Sequence, residues 1–229
     1  MLVPSSSATT ASVGSGASTP VAAEASVSEP VLKRPFDIVL SGLMLIVSAV
    51  AWGIIALAIK IEDGGPVFYR QERWGRGQTR FQVLKFRTMV VNAEPDGGVH
   101  QATAGDRRIT GVGRVLRATG LDELPQIVNI FRGDMSFVGP RALAVDEHTP
   151  DGTPLRYEDT PGFSTRLLVR PGLTGIATIF LPKDAPARRK FRADLPYIRR
   201  ISFWLDLRLV ALSFWISFRG KWETRGRKV

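Results

Sequence analysis

The chain has 229 residues, with 31 Lys and Arg against 21 Asp and Glu and a net charge of +10. It has no cysteine and only two histidines, which excludes disulfides and thiolate metal sites and argues against a histidine-rich zinc site. A positive excess of this size selects three partner classes: nucleic acid, an anionic membrane surface or phosphorylated ligands.

Residues 1–32 are dominated by Ser, Ala, Thr, Val and Gly. Such a segment cannot bury a core, and a disordered tail is expected. No Lys or Arg occurs in the first thirty residues, so the basic start of a secretory signal is missing and the tail reads as cytosolic. Lys33-Arg34-Pro35-Phe36-Asp37 opens the next element, and no charge follows from Ile38 to Ile59. As a helix that run is roughly 33 Å long, against a bilayer core of about 30 Å. A buried core helix is the alternative. Lys33 and Arg34 flank one end, and Lys60, Arg70, Arg73 and Arg76 the other. The positive-inside rule therefore draws both ends to the cytoplasm. Ser48 can bond back to the carbonyl four residues earlier and bend the helix, and Gly53 loosens it further.

Gly64-Gly65-Pro66 is a turn signal, and Val67-Phe68-Tyr69 reads as a short strand. Gly75-Arg76-Gly77 suggests a hairpin loop before a second strand from Phe81 to Phe86. Arg70, Arg73, Arg76, Arg80, Lys85 and Arg87 make the hairpin basic. That suits a solvated face near anionic headgroups or a nucleic-acid surface with interleaved aromatics. Val90 to Gly105 reads as a mobile polar loop, with His100 on its surface. The Gly111-Val112-Gly113 that follows lacks the third glycine and the preceding apolar strand of a dinucleotide fingerprint.

Leu121, Leu124, Ile127, Val128 and Phe131 fall at helical spacing. Pro125 belongs to a first turn, so the helix is expected to start near Leu121 or Asp122. Asp122 and Glu123 then sit at its positive end, where the dipole favours their ionised forms. Acids there are also ordinary helix-start signals. Gly133-Asp134 turns the chain into Met135-Ser136-Phe137-Val138, a short strand or loop. Gly139-Pro140 then aims Arg141, whose planar fork suits phosphate.

Ala142 to Ser164 reads as loop. Leu167 to Gly175 marks a tight backbone path through Arg170-Pro171-Gly172. Ala185 to Arg200 reads as a basic amphipathic helix interrupted at Pro196. Ile201 to Phe218 is apolar, with Trp204 and Trp215, but Asp206 and Arg208 argue for lying in the membrane interface rather than crossing it. Residues 220–229 form a basic, frayed tail. No internal repeat occurs.

L-D-E-L-P-Q followed by N-x-x-x-G-D-M-S-x-V-G-P-R resembles the bacterial sugar transferases known as polyprenyl-phosphate phosphoglycosyl transferases, of the monotopic class. G-P-V-F-Y-x-Q-x-R-x-G, K-F-R-T-M, D-x-R-I-T, G-x-x-L-R, R-P-G-L-T-G and L-D-L-R add to the likeness, which runs from Lys33 to Arg219. Three positions depart from it. Ala49 stands where the family breaks its helix at Ser-Pro, Gly120 where a serine is common, and Ile176 where a tryptophan is common.

The resemblance implies an α/β fold, mainly helical with a small β-hairpin or sheet. It implies a monotopic membrane protein with a re-entrant helix at 33–60, a catalytic core at 61–180 and interfacial helices at 185–219. A small, single-domain member is expected. The implied reaction moves a sugar 1-phosphate from a UDP-sugar to a polyprenyl (undecaprenyl) phosphate, releases UMP and begins exopolysaccharide assembly. Asp122 is the implied nucleophile, passing through a phosphosugar-aspartyl intermediate. Glu123, with Asp122 sharing, is the implied ligand of Mg²⁺. Lys85, Arg87, Arg117, Arg141 and Arg170 are the implied phosphate or substrate contacts. Membrane lipids are partners, nucleic acid is not, and a homo-oligomer is left open. The implied location is the bacterial inner membrane, with the active site facing the cytoplasm.

Overall fold

A computed structural model describes residues 27–93, 99–100, 102, 105–149, 152–182 and 184–218. Of the tails expected at 1–32 and 220–229, residues 1–26 and 220–229 lie outside the described residues, as does part of the polar loop after Val90. Residues 27–32 do not follow the expectation of a disordered tail: Val27 packs against the main core and Glu29 pairs with Arg170.

Helix α1 runs unbroken from Lys33 to Asp63, about 46 Å at 1.5 Å per residue. Ser48 Oγ donates to the Met44 carbonyl at 2.6 Å, as its position suggests, and the helix continues through it. Gly64 ends the helix in the left-handed region, at φ 71°. Strands β1 (Phe68–Trp74) and β2 (Arg80–Phe86) pair antiparallel across a 3-10 turn at Arg76–Gln78. The first strand is longer than Val67–Tyr69. Its later residues are polar, yet Gln71 turns inward opposite Val83. Val99–His100 (β3) pairs in parallel with Glu147–His148 (β5).

Helix α2 (Gly111–Thr119) starts at Thr110, whose hydroxyl accepts from the Gly113 amide at 2.9 Å. A 3-10 turn at Leu121–Glu123 leads into α3 (Gln126–Arg132). Strand β4 (Ser136–Val138) pairs in parallel with β6 (Gly172–Thr174). Helices α4 (Phe163–Arg166), α5 (Ile176–Phe180), α6 (Ala187–Arg199) and α7 (Phe203–Phe218) complete the fold. The architecture is mixed α/β, mostly helical, with small two-stranded sheets. Helix α6 passes through Pro196 rather than stopping there. The missing N–H frees a carbonyl at the exposed Arg192, which water can satisfy.

The main core gathers Val83, Ile130, Met135, Phe137, Val169, Ile179 and Leu209. A second cluster joins Ile55 and Ile59 of α1 to Phe86 and Leu116, with Leu124 against it. The inward stripe of α1 therefore touches both clusters, through Phe36, Leu40 and Met44 at one end and Trp52, Ile55 and Ile59 at the other. Polar bonds fasten both ends as well. Arg34 donates to the Ile130 and Phe131 carbonyls, and Asp37 accepts from Ser136 Oγ and the Phe137 amide. At the far end Glu62 caps α2 through the Gly111 and Val112 amides, and Asp63 pairs with Arg87. The outward stripe holds Val39, Ile46, Val47, Val50 and Ile54, all exposed. The helix is long and apolar enough to cross a membrane.

Asp206, charged within an apolar helix, turns inward. It meets Lys33 Nζ at 2.7 Å and accepts from Tyr197 Oη at 2.8 Å, with Lys33 2 % and Asp206 1 % exposed. Removing one partner of such a pair strands a buried charge. Asp206→Ala is expected to cost about 3–5 kcal/mol, read as a fall in the unfolding midpoint in detergent. Lys33→Met combined with Asp206→Leu should recover most of that loss. An unchanged midpoint for Asp206→Ala alone would contradict this assignment.

Candidate active site

Four of the sequence-selected residues converge where β2, the 3-10 turn and the segment after β4 meet. Lys85 Nζ lies 3.0 Å from Glu123 Oε1, and Arg141 Nη2 lies 2.8 Å from the same oxygen. Asp122 sits beside them, half-buried. Burial opposes the Glu123 charge, but Arg141 and Lys85 outweigh it and hold its carboxyl well below the usual range. Asp122 goes the other way: burial first and the Glu123 charge second push its carboxyl up, against Lys85, Arg117 and Arg141. Burial likewise pushes the Lys85 ammonium down, which Glu123 opposes. The Glu123 charge holds the Arg141 guanidinium up.

The acids occupy the 3-10 turn, and the regular α-helix starts only at Gln126, with Pro125 as its N-cap. This corrects the expected helix start. The local amides are spent on backbone carbonyls three residues back: Glu123 to Gly120, Leu124 to Leu121, Ile127 to Leu124 and Val128 to Pro125. The expected support of both ionised forms by free amides is therefore weak at Asp122, where burial dominates.

Asn129 sets the spacing. Its Oδ1 accepts the Leu84 amide at 3.0 Å and its Nδ2 donates to the Gln82 carbonyl at 2.8 Å, pinning α3 to β2 on either side of Val83. That contact puts Lys85 opposite the acids. Sequence reasoning gave Asn129 no role. It lies off the expected apolar face, one turn from Gln126; the face that α3 buries is Gln126, Ile127, Asn129 and Ile130, while Leu121 and Phe131 are exposed. Arg141 is aimed by a close backbone crossing. A Cβ on Gly139 would meet the Arg170 carbonyl at 2.3 Å, and one on Gly172 would meet the Gly139 nitrogen at 2.1 Å. Only glycines permit that approach.

The remaining selected residues are placed differently. Arg117 donates Nε to Thr88 Oγ1 at 2.8 Å, near enough to Asp122 to act on its charge. Arg87 is buried and paired with Asp63. Arg170 pairs with Glu29 and donates Nε to the Gly133 carbonyl at 3.1 Å. It thus sits at the C-terminal end of α3, opposite the end that follows the acids.

Among the described residues no group of three or more His, Cys, Asp and Glu is placed to hold a metal. The donor set fits Mg²⁺ only as two neighbouring carboxylates, Asp122 and Glu123, completed by substrate phosphates, which is the usual way such sites are built.

Sequence comparison relates the chain to known proteins. The chain is 42% identical over 186 residues to the UDP-glucose:undecaprenyl-phosphate glucose-1-phosphate transferase of Caulobacter vibrioides, covering 78% of this chain and 66% of that protein. It is 40% identical over 185 residues to the exopolysaccharide production protein PSS of Rhizobium leguminosarum bv. phaseoli, covering 79% and 92%. With the UDP-glucose:undecaprenyl-phosphate glucose-1-phosphate transferase of Escherichia coli K12 it shares 41% identity over 199 residues, spanning 83% of this chain but 41% of that protein. The family model described as bacterial sugar transferase matches residues 28–220, and the chain belongs to that family.

Proposed function

We propose that the protein transfers a sugar 1-phosphate from a UDP-sugar to a polyprenyl phosphate at a membrane surface. The observation that carries this reading is the Glu123 carboxylate shared by Lys85 and Arg141, with Asp122 next to it in a half-buried position. The names of the relatives point to UDP-glucose as the first donor to test and undecaprenyl phosphate as the acceptor.

An Asp122 oxygen attacks the sugar-linked phosphorus. The bond from that phosphorus to the bridging oxygen breaks, and UMP leaves with the electron pair. The acceptor phosphate then attacks the same phosphorus and expels the Asp122 carboxylate. Neither nucleophile carries a proton to be removed, so catalysis rests on positioning and on neutralising phosphate charge. Lys85 and Arg141 supply that charge while Glu123 holds both in place. The same two cations and Arg117 oppose the upward pull of burial and of Glu123 on Asp122 and offset it only in part. Mg²⁺, held by Asp122 and Glu123 with the donor phosphates, would draw off charge from the diphosphate.

The membrane reading is monotopic. Both ends of α1 are fastened to one body, by Lys33 and Asp37 at one end and by Glu62 and Asp63 at the other. That supports a helix that enters the bilayer without delivering its ends to opposite sides. The exposed Trp204, Phe214 and Trp215 of α7 suit an interfacial helix. The cytoplasmic face is the side where the UDP-sugar donor would be met.

Asp122→Asn should reduce UMP release from UDP-glucose by roughly a thousandfold or more, the scale of losing a nucleophile. Full turnover would remove Asp122 from that role. Arg141→Ala should lower kcat/KM for the donor by about 10²–10³-fold, with membrane partitioning unchanged. Reporter fusions at Met1 and Val229 should both report the cytoplasm. Met1 outside with Val229 inside would contradict the monotopic reading.

A further inference from the structure

The backbone that carries Arg141 is gripped from two sides. Arg73, in β1, donates Nη1 to the Ala142 carbonyl at 2.7 Å and Nε to Gln71 Oε1 at 3.0 Å. Arg166, the last residue of α4, donates Nη2 to the Arg141 carbonyl at 3.0 Å. The two carbonyls are consecutive, so both peptide planes that follow Arg141 are fixed. The Trp74 amide, donating to the Leu143 carbonyl at 2.9 Å, continues the same edge.

Arg166 is itself built in. It is 3 % exposed, it meets Asp194 of α6 at 3.1 Å, and its guanidinium lies over the Phe191 ring at 4.2 Å. Asp194 in turn accepts the Ala177 amide at 3.1 Å. Yet Nε and Nη1 of Arg166 are buried with no hydrogen-bond partner. A buried ion pair with unmet donors contributes little to folding, and a well-packed apolar side chain would serve stability at least as well. The return on that desolvation lies at the far end of the contact, on Arg141. Arg141 needs such help, because its own side chain is 46 % exposed and could leave Glu123 for water.

We propose that Arg166, anchored by Asp194, and Arg73 are positioning residues for Arg141, locking its backbone so that its guanidinium stays on Glu123 and meets the donor diphosphate. This inference rests on the proposed donor role of Arg141. It makes α6 and α4, remote from the acids in sequence, part of the donor site's support. It also places three guanidinium groups around one strand edge, which favours an anionic ligand there.

The test is a double-mutant cycle on the donor KM, with UDP-glucose and undecaprenyl phosphate, in the full chain in detergent. Asp194→Asn keeps the side-chain shape and its bond to the Ala177 amide but releases Arg166. It should raise the KM for UDP-glucose about tenfold, equivalent to roughly 1.4 kcal/mol. Arg73→Lys, at a separate corner, should do the same. In an Arg141→Ala background each change should move KM less than about twofold, because the positioned group is gone. KM does not depend on how much enzyme is folded, so simple destabilisation leaves it unmoved. A full-sized effect of Asp194→Asn and Arg73→Lys in the Arg141→Ala background would overturn the inference and leave the donor site standing. An unchanged KM in both single variants would overturn it too. A normal KM for Arg141→Ala alone would remove the donor role of Arg141, and this inference with it.

Discussion

A single carboxylate oxygen, Glu123 Oε1, holds two cations that would otherwise repel: Lys85 from a strand and Arg141 from a loop after another strand. Burial disfavours every charge in this group, so none is stable there alone. Together they fix one another, and the cost of burying them is offset by mutual attraction. What remains is a net positive cradle beside Asp122. In the proposed function, a diphosphate donor would occupy this cradle and Asp122 would be the nucleophile beside it.

The cradle depends on α1 more directly than its chemistry suggests. The lower half of α1 packs under Phe86 and Leu124, the neighbours of Lys85 and Glu123. Its last turn holds Arg87 through Asp63 and the start of α2 through Glu62. Its first turns hold the end of α3 and the Lys33–Asp206 pair. One long helix thus sets the height of the acids relative to the exposed apolar stripe that faces away from the core. In the proposed reaction, this would let a lipid phosphate acceptor and a soluble donor meet at one depth.

Much of this was readable from the residues, and the exceptions have physical causes. The uncharged run from Ile38 to Ile59 gave α1, since nothing else accommodates so long an apolar segment. The acid pair before Pro125 lies where Lys85 and Arg141 converge on Glu123. Helix α2 was hidden by the two glycines that open it, Gly111 and Gly113, which weaken a helix signal, and the full length of β1 by the polar run Arg70 to Arg73. The inward turn of Asp206 could not be read from a helix that looked merely interrupted. Its partner, Lys33, lies 173 residues away. Arg170 and Arg87 are implied as phosphate contacts by the resemblance of their motifs, and in the fold both are paired with carboxylates. Their carboxylate partners, Glu29 and Asp63, lie outside any local window. Arg73, Arg166 and Asn129 share that feature, since each acts on a backbone carbonyl or amide that only the folded chain brings near.

The central claim concerns a covalent bond at one side chain. Incubating the purified protein with UDP-glucose in the absence of acceptor, quenching, and mapping the digest by mass spectrometry tests it most directly. The account predicts a hexose-phosphate adduct on Asp122 that disappears when undecaprenyl phosphate is added. Steady formation of lipid-linked sugar with Asp122 unmodified at every time point would contradict it.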